Sequence, residues 1–348
     1  MIRARDPALG GTLLVAALLL AGCNGPAPAE APSFDGEAAL ALVQEIVHLS
    51  DGSLRPRVPA DPAHLGTADR LAGRMALPGW SVGVQDFDGA TYLAHDHGAV
   101  RGYVTRCPAE DAEELPGLHF RNVLATYDAP GTDALLMLAA HWDAKENAEV
   151  DGREVDTPVP GANDGASGVA VLLQLMRHVS DGDLKPRTDL VVALFDGEDG
   201  FEDCHPLAGS IHYARTMGDA GGARPGRMLL LDMVGDPGAR FVRESGGAAS
   251  DPVLQDLLWA HGREIVNATV FTDVGRSVLD DHVPFLEEGV PAVDLIDFGR
   301  TDGRSGFPPY WHTPEDTPDQ LTAGMLGAIG QVVWGLLEDP RLVETWPA

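Results

Sequence analysis

Positive charge, cysteine and long apolar runs are all scarce in this chain. Its 348 residues include 24 Lys and Arg against 53 Asp and Glu, which gives a formal net charge of −29. Because nucleic acids bind to positively charged surfaces, this balance excludes a nucleic-acid partner. The acidic excess serves solubility, and it could also attract cationic peptides.

The first apolar run, residues 10–20, is too short to cross a membrane as a helix. It follows Arg3 and Arg5 and ends at Leu20-Ala21-Gly22-Cys23, which is typical of a secretory signal cut before a lipid-carrying cysteine, as in bacterial lipoproteins. We therefore expect a signal peptide at 1–22, an acylated Cys23, a flexible tether rich in Pro and Ala at 23–35, and one folded domain at 36–348. The alternative is an ordinary signal peptide in which the cysteine is accidental.

This N-terminus predicts a place in the bacterial cell envelope, on the periplasmic face or at the cell surface. The membrane would be contacted through the lipid alone. Of the 3 Cys, Cys107 and Cys204 remain once Cys23 carries the lipid. Outside the reducing cytosol these two could form a disulfide, but a sequence does not test their distance, so both states stay open.

From residue 122 onward, apolar runs of strand length alternate with helical spacing. The strand-like runs are 122–127, 134–140, 190–195, 228–234 and 292–296, and the helical ones are 167–178 and 321–337. Before them, 38–49 and 67–75 have helical spacing, 80–87 alternates like a strand, and 96–118 is a polar insertion expected on the surface. This alternation predicts an α/β fold, a single three-layer domain with a mixed, mostly parallel sheet flanked by helices.

Acidic and histidine residues cluster just past the predicted strands, where open α/β sheets bind their ligands. The clusters are His141-Trp142-Asp143, Asn163-Asp164-Gly165, Asp196-Gly197-Glu198-Asp199, Asp232, Asp280-Asp281-His282 and Tyr310-Trp311-His312. Each alone has an ordinary explanation, since an Asp such as Asp164 often caps a helix and a lone His such as His312 is often structural. Together they provide the carboxylate and imidazole ligands of a catalytic zinc site, with a spare carboxylate for acid/base chemistry.

In this order the motifs resemble the zinc aminopeptidase and glutaminyl cyclase superfamily, and the chain is most similar to its bacterial glutaminyl-peptide cyclotransferases. The resemblance implies a catalytic domain at 36–348, with Glu198 as the general acid/base. The resemblance implies one zinc with the ligands Asp164, Asp199 and His312. A second metal site, or support for the first, would be formed by His141, Asp143 and Asp232. Asp143 would orient the cluster from behind the ligands.

Two positions separate cyclases from peptidases within this superfamily. Asp280-Asp281-His282 stands where the peptidases commonly have Ser-Asp-His, and in the cyclases the first Asp is a catalytic partner of the Glu. Trp311 matches a Trp that packs on the substrate in the cyclases. The ordinary alternatives are a loop-capping role for Asp280 and core packing for Trp311.

We therefore expect a zinc-dependent glutaminyl-peptide cyclotransferase, an acyltransferase that converts the N-terminal Gln of peptides or proteins to pyroglutamate and releases ammonia. The alternative enzyme is a zinc aminopeptidase; one zinc favours the cyclase and two favour the peptidase. A third hypothesis is a catalytically silent binding lipoprotein on the same fold. The presence of Glu198 beside every zinc ligand argues against that third hypothesis.

Overall fold

The computed structural model describes residues 33–61, 63–95, 115–150, 153–199, 207–218, 222–244, 250–302 and 306–346. The helices are α1 (Gly36–Val47), α2 (His64–Met75), α3 (Gly89–Ala94), α4 (Ala166–Asp181), α5 (Ala208–Thr216), α6 (Pro252–Ile265), α7 (Val283–Glu287), α8 (Ala323–Glu338) and α9 (Pro340–Glu344). The strands are β1 (Ser81–Asp88), β2 (His119–Tyr127), β3 (Leu135–His141), β4 (Ala148–Val150), β5 (Arg153–Val155), β6 (Asp189–Phe195), β7 (Arg227–Asp232), β8 (Phe241–Glu244), β9 (Phe271–Arg276) and β10 (Ala292–Ile296).

A six-stranded sheet with the order β1-β2-β6-β3-β7-β10 forms the middle layer. Strands β6, β3, β7 and β10 are parallel, whereas β2 pairs antiparallel with both β1 and β6. Successive side chains of β3 point to opposite faces, so Leu136 and Leu138 join one hydrophobic core and Met137 and Ala139 join the other. Because both faces are covered, β3 has an almost continuous apolar sequence.

Helices cover both faces of this sheet. On one face α1 packs against α4 and α8, and α8 packs against α6; on the other face α5 packs against α7. From Ser33 onward the chain forms one compact unit. The predicted three-layer α/β fold with a mixed, mostly parallel sheet is confirmed.

Several features of the fold were not predicted from the sequence: helix α6, the short helices α3, α5, α7 and α9, the antiparallel pair β4–β5 and the parallel pair β8–β9. Helix α6 does have a start signal, because the carboxylate of Asp251 accepts hydrogen bonds from the N–H groups of Val253 and Leu254, both at 3.0 Å, and Pro252 lies in the first turn. The strand predicted at 228–234 ends at Asp232, because Met233 has a φ of 52°.

The signal peptide at 1–22, the acylation of Cys23 and the disulfide between Cys107 and Cys204 concern residues outside the described ranges. They stay predictions. In the described part of the chain, no helix combines the length and the apolar character that membrane crossing requires.

Candidate metal centre and active site

The carboxyl ends of three neighbouring strands meet at one edge of the sheet. Strands β6, β3 and β7 lie side by side and parallel, so the residues that end them face the same region. His141 is the last residue of β3 and Asp232 the last of β7, while Glu198 and Asp199 follow β6 after a short turn. The strand order therefore brings together side chains that lie far apart in the sequence.

Asp164 lies between two histidines. Its Oδ1 is 3.1 Å from His141 Nε2, and its Oδ2 is 3.5 Å from His312 Nε2. His141 Nε2 is also 3.2 Å from Asp232 Oδ1, and His312 Nε2 is 3.1 Å from Asp199 Oδ1. One carboxylate thus joins two His–Asp pairs.

A glycine allows this close approach. Gly165 follows Asp164 with a φ of 82°, and a Cβ at this position would lie 2.6 Å from His141 Cε1. The backbone conformation and the contact both exclude a larger side chain. The turn that leads into α4 therefore places Asp164 directly against the end of β3.

The side chains at this edge have the donor chemistry of a zinc site. Among the described residues, three sets of three ligand atoms lie within 4.8 Å of one another: His141–Asp164–Asp232, Asp164–Asp199–His312 and His141–Glu198–Asp199. Oδ2 of Asp199 is buried and accepts no hydrogen bond from any residue that the structure describes. Zn²⁺ binds imidazole nitrogen and carboxylate oxygen, and three protein ligands leave a position open for substrate. The residues present therefore fit zinc.

Asp143 supports the turn that carries Glu198 and Asp199. Its two carboxylate oxygens accept hydrogen bonds from the backbone N–H groups of these residues, each at 3.1 Å. One of the oxygens also lies 3.5 Å from His141 Nδ1. Asp143 is fully buried behind the ligands, which is the place where an orienting residue is needed.

Arg57 joins two loops of the site and was not among the predicted residues. Its side chain is 2% exposed. The guanidinium donates to the carbonyl oxygens of Trp142 (2.7 Å) and Asp143 (2.9 Å), and to those of Pro160 and Gly161 (both 2.9 Å). These carbonyls belong to the loop after β3 and the loop before α4. Because a buried guanidinium needs partners for its donors, Arg57 fixes the two loops relative to each other.

A second network, also not predicted, ties together the loops that carry Asp164 and His312. The hydroxyl of Tyr310 donates to Asp236 Oδ2 at 2.5 Å and accepts from Asn163 Nδ2 at 3.2 Å. Asn163 precedes Asp164, and Tyr310 lies two residues before His312. The network therefore connects the two loops that carry these ligand candidates.

A cavity of about 320 Å³ lies beside the Asp164–Asp199–His312 set. Its walls include the carboxylates of Glu198 and Asp280 and the rings of Trp311 and Phe307. Trp311 stacks on Phe307, with ring centroids 4.1 Å apart, and on His312, with centroids 3.8 Å apart. The cavity thus places an aromatic wall next to buried acids and the ligand cluster.

Burial raises the pKa of two acids in the cavity wall, Glu198 and Asp280. Although Glu198 reaches the cavity, burial and then the charge of Asp280 raise the pKa of Glu198 well above its usual range. Burial and the charges of Asp232 and Asp281 likewise raise the pKa of Asp280. A carboxyl group with a raised pKa can take up and return a proton near neutral pH, as general acid/base catalysis requires.

For His312 and Asp199, two of the zinc-ligand candidates, burial and the neighbouring residues have opposite effects on the pKa. Burial alone would lower the pKa of His312, but hydrogen bonds to Asp199 and Glu149 outweigh it and raise this pKa to about 9. Burial would raise the pKa of Asp199, but His312 outweighs it and lowers this pKa. Burial and the charges of Asp199 and Asp232 raise the pKa of Asp164 to about 6. Crowded carboxylates of this kind favour a bound cation.

The part of the chain that carries these residues matches a known family. The model described as Peptidase family M28 matches residues 122–337, which is more than half of the chain. The chain belongs to peptidase family M28. The matched region contains every ligand candidate from His141 to His312, and M28 is a metal-dependent family.

Relatives of this M28 chain include cyclases and a peptidase. A glutaminyl-peptide cyclotransferase of Drosophila melanogaster is 27% identical over 291 residues, which are 76% of this chain and 72% of the relative. The structure of Tannerella forsythia glutaminyl cyclase has a TM-score of 0.72 and 27% identity, and the match covers 88% of this chain and 99% of that one. A leucine aminopeptidase precursor from Bacteroides thetaiotaomicron has a TM-score of 0.70 and 27% identity, with 89% and 98% covered. The resemblance inferred from the sequence motifs is confirmed.

Proposed function

We propose that this protein is a glutaminyl-peptide cyclotransferase, which converts the N-terminal Gln of peptides to pyroglutamate and releases ammonia. One observation carries the proposal: Glu198, Asp280 and Trp311 line the same cavity as the Asp164–Asp199–His312 set. Asp280 and Trp311 are the two positions that distinguish the cyclases in sequence. Trp311 belongs to the cavity wall and to none of the buried hydrophobic clusters, which argues against a packing role alone.

The acids of the cavity suit the proton transfers of this reaction. Glu198 would take a proton from the attacking α-amine and return it to the departing ammonia, a role that its raised pKa favours. Asp280 raises that pKa through its charge and would act as the partner of Glu198. Zinc bound by Asp164, Asp199 and His312 would supply a Lewis acid for the γ-carbonyl of the substrate.

The aromatic wall suits the geometry of a cyclisation. The Gln side chain must fold back onto the α-amine of its own residue, and Trp311, stacked on Phe307, provides a flat surface for that fold. Because nucleophile and carbonyl belong to one molecule, orientation alone can contribute about 7–11 kcal/mol. A hydrolase, whose nucleophile is water, has less need of such a wall.

The deciding experiment incubates the purified protein, lacking residues 1–23, with a Gln-initiated and a Leu-initiated dipeptide. Ammonia and free amino acids are followed separately. We expect ammonia and pyroglutamyl peptide from the first substrate and no change in the second. Free Leu, or free Gln without pyroglutamate, would show an aminopeptidase.

A zinc aminopeptidase is the second candidate, and one observation favours it. His141, Asp164 and Asp232 form a second complete three-ligand set, which shares Asp164 with the first. A shared carboxylate between two such sets is suited to a pair of metal ions. Metal analysis by atomic emission separates the candidates, because one zinc per chain supports the cyclase and two support the aminopeptidase.

We also propose that the enzyme is a lipoprotein of the bacterial cell envelope, held to the membrane through an acylated Cys23. The support is the sequence Leu20-Ala21-Gly22-Cys23 after a charged start and a short apolar run. Cys23→Ala should move the protein from the membrane fraction to the soluble fraction and abolish labelling with a fatty-acid analogue. Unchanged labelling in that variant would refute the anchor.

A further inference from the structure

Both ring nitrogens of His312 lie close to carboxylates. Nε2 lies 3.1 Å from Asp199 Oδ1 and 3.5 Å from Asp164 Oδ2. Nδ1 lies 3.3 Å from Oε1 of Glu149. The ring is buried, with 4% of His312 exposed. Glu149 thus lies on the side of the imidazole that faces away from the other ligand candidates.

The same glutamate also holds the backbone of His312. The N–H of Glu149 donates to the carbonyl oxygen of His312 at 2.6 Å. His312 has a φ of 57°, a left-handed conformation that is unfavourable for a residue with a Cβ. Glu149 belongs to β4, which pairs with β5 outside the main sheet. A separate small hairpin therefore contacts this ligand candidate through both its ring and its backbone.

We propose that Glu149 is a positioning residue that orients His312 for zinc binding. When Nδ1–H donates to the carboxylate of Glu149, the lone pair of Nε2 is directed toward Asp164 and Asp199, which is the tautomer that a metal needs. The negative charge of Glu149 also makes Nε2 of the imidazole a stronger electron-pair donor to a metal. Glu149 acts through His312, since it is not among the described residues that line the cavity.

This proposal rests on the zinc site of the proposed function and not on the reaction that the site performs. It therefore has a readout independent of turnover, the dissociation constant for zinc. That constant is measured on the mature full-length protein by competition with a chromogenic chelator. Thermal unfolding of the zinc-free protein is recorded for each variant alongside it.

Two substitutions separate the charge of Glu149 from its hydrogen bond. Glu149→Ala removes both and should weaken zinc binding about 10–100-fold. Glu149→Gln keeps a hydrogen-bond acceptor of the same size without the charge, and its affinity should lie between those of Glu149→Ala and wild type. Glu315→Gln removes the same charge from an exposed glutamate near His312 in the sequence and should leave the affinity unchanged.

Wild-type zinc affinity in both Glu149 variants would overturn the proposal, as would a wild-type protein that binds no zinc. An affinity loss in Glu149→Gln that is matched by lower thermal stability of the zinc-free protein would show a merely structural role and would overturn it too. If Glu149→Ala does not fold, the Gln variant decides. Weakened zinc binding in the variants with no ammonia release by wild type would leave the positioning role intact and reject the cyclase.

Discussion

His141 and His312 belong to the same site but are held there in different ways. His141 ends β3, a central strand that pairs with β6 on one side and β7 on the other, and its register partner is Phe195 of β6. His312 lies in the long connection between β10 and α8, with a φ of 57°. Strand pairing places the first histidine, whereas individual contacts from Glu149 and from the Tyr310 network place the second.

The two histidines therefore differ in how strongly a single substitution nearby can change their position. The end of a central strand is fixed by many backbone hydrogen bonds, so no one side chain decides where His141 lies. A residue in an irregular connection depends on a few contacts, and such segments open more easily than the core. We therefore expect zinc binding to be more sensitive to substitutions around His312 than to substitutions around His141.

Replacing the two histidines themselves should give the largest effect. His312→Ala removes a ligand of the predicted zinc and should abolish both stoichiometric zinc binding and turnover. His141→Ala is the matched change on the strand side, and with a single zinc at Asp164, Asp199 and His312 it should retain the metal. Zinc content after dialysis, measured together with ammonia release, checks both. Equal zinc loss in the two variants would show that His141 also binds a metal.

A pair of adjacent residues after β6 should separate acid/base chemistry from metal binding. Glu198→Gln should lower turnover by about 10²–10⁴-fold and leave zinc bound, because Glu198 is not assigned as a ligand. Asp199→Asn, one residue along, should lose zinc. The measurement is again zinc content beside ammonia release. Zinc loss in Glu198→Gln would mean that the two roles are assigned the wrong way round.

Substitution of Arg57 shows how much zinc binding near His141 depends on a contact between loops. Arg57→Met leaves buried carbonyl oxygens without their donor, which should lower the free energy of unfolding by at least about 1–3 kcal/mol and weaken zinc binding. Arg55→Met is the control, because Arg55 donates to the carbonyls of Glu45 and His48 at α1, outside the site. Urea unfolding and chelator competition measure the two effects. If Arg57→Met lowered stability with unchanged zinc affinity, Arg57 would be structural only.

The same contrast explains what the sequence could predict. His141, Glu198, Asp199 and Asp232 follow directly from apolar runs that end at the sheet edge, so strand pattern and residue type were enough to find them. The order β6-β3-β7 that joins them is set by pairing between distant segments. It is visible only in the fold.

The sequence did not indicate that Arg57 and Glu149 belong to the site. The partners of Arg57 are backbone atoms, and the side-chain partner of Glu149, His312, lies far along the chain. Arg57 binds carbonyl oxygens, which every residue has, so no residue type indicates its partners. Glu149 had one usable signal, the Asp151-Gly152 pair between two short alternating segments, a common hairpin turn sequence. That signal predicts the hairpin but not its contact with His312.

Zinc binding by His312 should also depend on pH. The pKa of His312 without zinc is raised to about 9, so below that pH Nε2 carries a proton that zinc must displace. The apparent affinity should therefore rise about tenfold per pH unit up to about pH 9 and level off above it. A histidine with its ordinary pKa of about 6.5 would level off there instead.

Proton release makes this pH effect a test of the two histidines. The pKa of His141 is raised as well, and its Nε2 faces Asp164 and Asp232. A single zinc bound by Asp164, Asp199 and His312 leaves the proton on Nε2 of His141 in place, whereas a second metal bound by His141 must displace it. Calorimetry near pH 7.5 in buffers of different ionisation enthalpy should therefore find about one proton released per chain for one zinc and about two for two. Zinc binding without proton release would show that His312 is already neutral near pH 7.5 in the zinc-free protein and would contradict its raised pKa.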